Sequence, residues 1–530
     1  MPESGLGHNA SSHPAEDVGS RKCKDDDRDS DDFVVCDGES SSDADNEILE
    51  RRDIGSIVPL LQLLPALTIE DNRYILNDTI TQSDVQRLKL EAHKVRSFKH
   101  SGDLSPSVDP SIFFRLALLL KEPLFPSLRQ LRLPSIGESL THIFLFLSPS
   151  LQIVEMGDIS YSAIRIATSF LAALPSEAPR LSHLVLRGPL KLGVTALVPI
   201  SHLTQLRSLE LFDVVVLDNF NLLSRLGRLT NLETFVLQLD TQSLNYCSPD
   251  HKTLPAGTFA KLRTLGVTAT FSLINDLLHA ISSDGLTVLR IQPLIVELVT
   301  RKKKGRKERS LPTPTLEQLV PCKMKEMFEI ISSKWSQGVL SLYLDMLDTR
   351  ASYGRTQTFN LLEEVIASLA SLSNLETLHI KKWGIENLDY HIKQLAPSWK
   401  KIRELEFPLH RSNNTIGLGA LRIIAASCPH LHSLQICIEP LSVTSLTNDM
   451  ASYVLNHGLR KLSVGSSSGS KALDAGQRRF IARYLSVVFP VLTTMETHPG
   501  RNKEEWDLVH ELLRMLQEVR RDDMNRNLQK

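Results

Sequence analysis

From Phe125 onward the apolar positions follow a short recurring phrase: an apolar anchor, then apolar residues three and five places later, with mostly polar residues between. It reads "SLRQLRL" (anchor Leu128), "SLQIVEM" (Leu151), "RLSHLVL" (Leu181), "QLRSLEL" (Leu206), "NLETFVL" (Leu232) and "KLRTLGV" (Leu262). It continues as "GLTVLRI" (Leu286), "GVLSLYL" (Val339), "NLETLHI" (Leu375), "KIRELEF" (Ile402), "HLHSLQI" (Leu431), "GLRKLSV" (Leu459) and a weaker "VLTTMET" (Leu492). "KVRSFKH" at Val95 reads as an earlier copy. The second and third apolar positions lie two residues apart, so both face the same side of a strand, and the anchor folds in ahead of them. The stretches between phrases carry helical spacing, as in "SAIRIATSFLAAL", "SLINDLLHAIS", "FNLLEEVIASLASL" and "LGALRIIAASC". One strand and one helix cannot bury a core alone, so the units must stack. Parallel neighbours need crossover connections, and the helices supply them.

Most anchors lie about 23 to 36 residues apart, and the phrase matches the L-x-x-L-x-L strand of leucine-rich repeats. The predicted fold is therefore α/β: a leucine-rich-repeat solenoid with a parallel concave sheet and outer helices. The Asn or Cys expected three residues after the third apolar position is missing. Ile136, Pro189, Val214 and Trp383 stand there instead, which points to an irregular, ribonuclease-inhibitor-like array. The solenoid is assigned to residues 48–522, with some twelve to fourteen units. A helix at 503–521 caps its C-terminal end, with Trp506, Val509, Leu512, Leu513, Leu516 and Val519 on one face.

Charge adds a boundary. The chain of 530 residues has a net charge of −1, but residues 1–47 hold an excess of about ten negative charges and few apolar residues. That segment is expected to be a disordered acidic tail, and 523–530 a disordered end. An insertion at about 296–318 doubles one repeat and contains "RKKKGRKER". Arg301, Lys302, Lys303, Lys304, Arg306 and Lys307 form a candidate nuclear-import signal on an exposed loop. No aromatic residues interleave these charges, which argues against nucleic acid as the partner.

Candidate chemistry is sparse. Six cysteines are too few for a disulfide scaffold, no apolar segment follows Met1, and no apolar run is long enough to span a bilayer. A cytoplasmic or nuclear chain without a membrane partner is expected. No phosphate-binding, zinc-protease, nucleophile-elbow or calcium-loop motif occurs, so the chain reads as a non-enzyme needing no cofactor or metal. Cys428, His430, His432 and Cys437 have ligand chemistry, but the repeat phrase already accounts for that stretch. On this register Cys437 points outward. The residues two, four and six places after each anchor face away from the core. Arg187, Glu210, Phe212, Arg290, Tyr343, Asp345, His379, Lys381, Glu404 and Glu406 are thus the candidate partner-binding set, a mix of aromatic, arginine and charged groups that suits a protein surface.

The stretches "VPLLQLLPALT", "SDVQRLKLEAHKVRSFKH", "SPSLQIVEMGDI", "FLAALPSEAPRLSHLVLRG" and "ALRIIAASCPHLHSLQI" resemble the repeat portion of fungal, basidiomycete-type F-box proteins, over roughly residues 54 to 495. In that family a short helical F-box docks on the Skp adaptor of a cullin-based ubiquitin ligase, and the repeats hold the substrate. The resemblance implies a substrate-recognition subunit, with the Skp adaptor and a protein substrate as partners. Residues 1–53 contain nothing resembling the F-box motif. A scaffold or regulatory protein of the same repeat class, unrelated to ubiquitination, is the alternative.

Overall fold

The side chain that opens each phrase is pulled out of water. Leu128, Leu151, Leu181, Leu206, Leu232, Leu262, Leu286, Val339, Leu375, Ile402, Leu431, Leu459 and Leu492 are all completely buried. The computed structural model describes residues 52–100, 106–120, 122–136, 138–188, 194–214, 219–240, 254–255, 257–295, 316–348, 360–361, 363–409, 414–439, 455, 457–465, 472–497 and 503–528. The acidic tail, the basic run at 301–309 and Pro189 lie outside them.

Among the described residues a 17-stranded sheet carries the repeat strands. Each strand pairs in parallel with that of the next unit: Val95–Lys99, Gln130–Leu133, Ile153–Met156, His183–Leu186, Ser208–Val214, Thr234–Leu239 and Thr264–Ala269. The series runs on through Val288–Ile295, Ser341–Leu344, Thr377–Ile380, Glu404–Glu406, Ser433–Ile438, Lys461–Gly465 and Thr494–Thr497. The register never slips at the middle apolar position. Phe98, Leu131, Val154, Leu184, Leu209, Phe235, Leu265, Leu289, Leu342, Leu378, Leu405, Leu434, Leu462 and Met495 stand opposite one another in turn. A one-residue slip would turn every such side chain to the other face, so burial holds the register. The phrase is also wired at its entrance. The amide after each anchor donates to the carbonyl of its counterpart one unit back, as in Glu233 N to Arg207 O (2.8 Å), Arg263 N to Glu233 O (2.8 Å) and Arg403 N to Glu376 O (2.7 Å).

The predicted helices form where the spacing placed them: Ile164–Glu177, Phe271–Ala280, Glu363–Ala370 and Leu418–Ser427. Their apolar faces join the strand side chains in one continuous core. The chain is a leucine-rich-repeat solenoid of irregular type. At the positions where an asparagine was expected, Ile136, Val214 and Trp383 are buried instead. One turn is bridged by an asparagine from elsewhere: buried Asn414 accepts from Ile385 N (2.7 Å) and donates to Trp383 O (3.1 Å).

Several boundaries differ from the sequence reading. The insertion assigned to 296–318 gives way to a helix at Leu316–Trp335, which belongs to the array. Its Lys334 Nζ donates to the carbonyls of Leu278, His279 and Ile281, and Trp335 Nε1 donates to Ser283 O. The C-terminal helix runs Lys503–Leu528, beyond the expected end at 521 and into the supposed disordered 523–530. Of its predicted inward set, Trp506, Val509 and Leu513 are buried, whereas Leu516 and Val519 are exposed. One turn of helix sweeps its side chains through the full circle, so six apolar residues spread wider than the face the array covers. Near the other end a 3-stranded sheet was not foreseen. Leu67–Glu70 and Arg73–Leu76 pair antiparallel around Asp71 and Asn72, both at positive φ (48° and 59°), the turn geometry that such residues tolerate.

Candidate protein-binding face

Alternation along each strand leaves one row of side chains on the open face directly after the buried middle residue. Through the pairing register this row reads Lys99, Arg132, Glu155, Val185, Glu210, Val236, Gly266, Arg290, Tyr343, His379, Glu406, Gln435, Ser463 and Glu496. Glu210, Arg290, Tyr343, His379 and Glu406 of the candidate set all belong to it.

Four of these join into one continuous network. The Arg290 guanidinium lies 5.0 Å from the Tyr343 ring centre. Tyr343 meets His379 edge-on, centroids 4.8 Å apart. His379 Nδ1 is 3.3 Å from Glu406 Oε2. Glu404 Oε2 lies 3.4 Å from His379 Nε2, without the alignment of a hydrogen bond, and its other oxygen is 3.5 Å from His432 Nε2. The network runs from the strand Val288–Ile295 to His432, the residue just before the strand Ser433–Ile438, with no repeat skipped. Burial pushes the His379 pKa below its usual value, while the carboxylates of Glu406 and Glu404 pull it the other way.

Asp345, two places beyond Tyr343, is committed to the fold. Its carboxylate accepts from Met346 N (2.7 Å) and from Gln292 Nε2 (3.1 Å), and lies 3.5 Å from Lys382 Nζ. Gln292 Oε1 in turn accepts from Thr268 Oγ1 (3.0 Å). Lys382 reaches back because its φ is +62°, which ends the strand alternation after exposed Lys381. A second group sits on an earlier part of the face. The Arg187 guanidinium stacks 4.6 Å from the Phe212 ring centre. Glu210 stands nearby, its pKa raised by burial, lowered by Arg187, raised by Glu155 and lowered by Arg290. Val236 and Gly266 occupy the row between the two groups without charge.

Alternation alone found the ten candidates but not Gln292, Thr268, Lys382 and His432, which tie them together. Gln292 sits at the predictable sixth place after Leu286. Lys382 depends on a left-handed turn residue that the pattern does not encode. The sequence placed Cys437 outward; it is fully buried, its Sγ 2.8 Å from Leu409 O. Pro408 and Leu409 are buried over that strand end and take it out of the open face. Cys428 is buried as well, its thiol pKa pushed up to about 12 by burial, whereas His430 and His432 are exposed. The four are therefore not brought to one point. Among the described residues no group of His, Cys, Asp and Glu is placed to hold a metal ion. No described helix is long and apolar enough to cross a membrane.

No protein-family model matches the chain, and no curated protein matches it. Among solved structures it is similar to the yeast Rad7–Elc1 complex, at 14% identity over 74% of this chain and 92% of that one, with a TM-score of 0.34. It is also similar to the leucine-rich repeat-containing protein LegL7 from Legionella pneumophila, at 14% identity over 72% of this chain and 96% of that one, with a TM-score of 0.28. The unbroken register and the buried anchors make the fold a leucine-rich-repeat solenoid.

Proposed function

We propose that this chain is a non-enzymatic protein-binding module whose open sheet face holds a protein partner. The observation that carries this reading is the network Arg290–Tyr343–His379–Glu406, with Glu404 and His432 alongside. Arginine and tyrosine are the residue types that concentrate binding energy at protein interfaces, and here they stand pre-packed on a rigid sheet. Ordered side chains lose little further entropy on binding, which favours affinity. Ion pairs around an aromatic centre also give charge selectivity.

The finer reading is substrate recognition for a cullin-based ubiquitin ligase through a Skp adaptor. It rests on the resemblance of the repeat phrases to fungal F-box proteins. A repeat scaffold unconnected with ubiquitin shares the same binding face. Affinity capture with the full chain separates them: co-purification of the Skp adaptor supports the ligase reading, and a reproducible partner without it supports the scaffold. The face itself is tested by Lys381→Glu combined with Glu404→Lys. Lys381 is exposed and the Glu404 side chain is 42% exposed, so both leave the core untouched. Asp345→Lys is unsuitable, because it would remove three bonds of the fold. The double variant should lose the partner, while alanines at Arg301 to Lys304 should alter nuclear import and leave capture intact. Loss of capture from the alanine variant alone would move the binding site to the basic run.

A further inference from the structure

The C-terminal helix Lys503–Leu528 is amphipathic twice over. One face closes the array: Trp506, Val509 and Leu513 are buried, Gln517 Nε2 donates to Pro490 O and Leu492 O, and Arg520 Nη1 donates to Ser486 O. A second stripe is left in solvent. Leu508 is 42% exposed, Met515 53% and Val519 59%, with half-buried Leu512 between them. Their spacing is four, three and four residues, which lines them up as the seam of a helix pair. Leu512 still packs against the core along its inner side, whereas Leu508, Met515 and Val519 stand outside it.

Beside the seam runs an acidic rail. Glu504, Glu511 and Glu518 are exposed, and recur every seventh residue on the flank next to the stripe. Among the described residues no ion pair is formed by these three carboxylates. The rail decides between occupants. In an antiparallel pair with a second copy, each rail would face its own image, carboxylate against carboxylate. In a parallel pair it would face the opposite flank, where Val509 is buried and Leu516 offers only an apolar side chain. An anionic membrane surface would be repelled as well. A helix with basic flanks satisfies both the seam and the rail.

We propose that the stripe Leu508, Leu512, Met515 and Val519, with the rail Glu504, Glu511 and Glu518, is a docking surface for an amphipathic helix of a partner protein that carries Lys or Arg beside its apolar seam. This surface lies on the terminal helix and is independent of the open sheet face.

The test uses the full chain and two synthetic amphipathic peptides of about three heptads, both with Leu at the seam positions. One carries Lys on both flanks, the other Glu. Binding is followed by fluorescence anisotropy at low salt, where flank charges are least screened. The Lys peptide should bind at least about tenfold more tightly than the Glu peptide, as expected for several rim ion pairs acting together. Met515→Glu combined with Val519→Glu should abolish binding with the thermal transition unchanged, since both side chains are exposed. Glu511→Lys combined with Glu518→Lys should reverse the preference between peptides. Equal binding of the two peptides, or binding unaffected by the stripe variant, would overturn the proposal. So would a dimer in sedimentation that Val519→Glu dissociates, because a second copy would then be the occupant.

Discussion

Leu209 and Leu378 show how much depends on single side chains. Each is the middle apolar residue of its phrase, is fully buried, and stands in register with the leucine or phenylalanine of both neighbouring strands. Leu209→Ala or Leu378→Ala should cost roughly 2 to 5 kcal/mol, because the cavity would be walled by two rungs that cannot collapse into it. Denaturant unfolding measures this, and a neutral result at both sites would refute the register. His457 gives a second residue-scale prediction. It is buried, Nε2 lies 2.8 Å from Cys428 O, and Nδ1 accepts from Leu459 N at 3.1 Å. Burial lowers its pKa below 6.5, partly offset by the Cys428 carbonyl. As pH falls through 6.5 the unfolded chain takes up the proton first. The stability that neutral His457 contributes is therefore complete above that pH and is lost as pH falls from there toward the folded pKa. Thermal unfolding from about pH 7.5 to 5.5 should show a smaller acid loss in His457→Gln than in the parent chain. The anchors and middle leucines were legible because a strand must alternate. Cys437 was not, since its burial depends on Pro408 and Leu409 of another unit crossing the strand end.

Elements were readable where they were long and periodic. The helices Ile164–Glu177, Phe271–Ala280 and Leu418–Ser427 follow directly from their apolar spacing. Short pieces were not: the strands Leu67–Glu70 and Arg73–Leu76 carry no clear alternation, and only the Asp71-Asn72 turn hints at a hairpin. The helix Ala475–Val488 was not among those read from apolar spacing. Its start is nonetheless marked. Asp474 accepts from Gln477 N at 2.8 Å, and Gln477 Oε1 accepts from Asp474 N at 3.0 Å, a reciprocal cap. Asp474→Ala should cost about 1 kcal/mol. Chemical denaturation would show it, and an unchanged midpoint would mean the cap contributes nothing. This helix packs against the C-terminal helix through Ser486 and Arg520, so damage to the cap should loosen the end of the array first.

At the scale of the molecule, repetition turns a local rule into a long surface. Parallel strands held in one register repeat the same outward position, so chemistry at one phrase lies beside chemistry at the next. That is why most of the candidate face could be read from the sequence, while its bonding, which depends on Lys382 turning back and Glu404 reaching two histidines, could not. A protein partner held on this face would lie against Tyr343. Replacing Tyr343 with a photo-crosslinking phenylalanine analogue tests it most directly, with the same group at Tyr390 as the control. Tyr390 is 53% exposed on the helix Leu388–Leu395, away from the open face. Irradiation of the captured complex should link the partner to position 343 and not to position 390. Crosslinks from position 390 alone would contradict it.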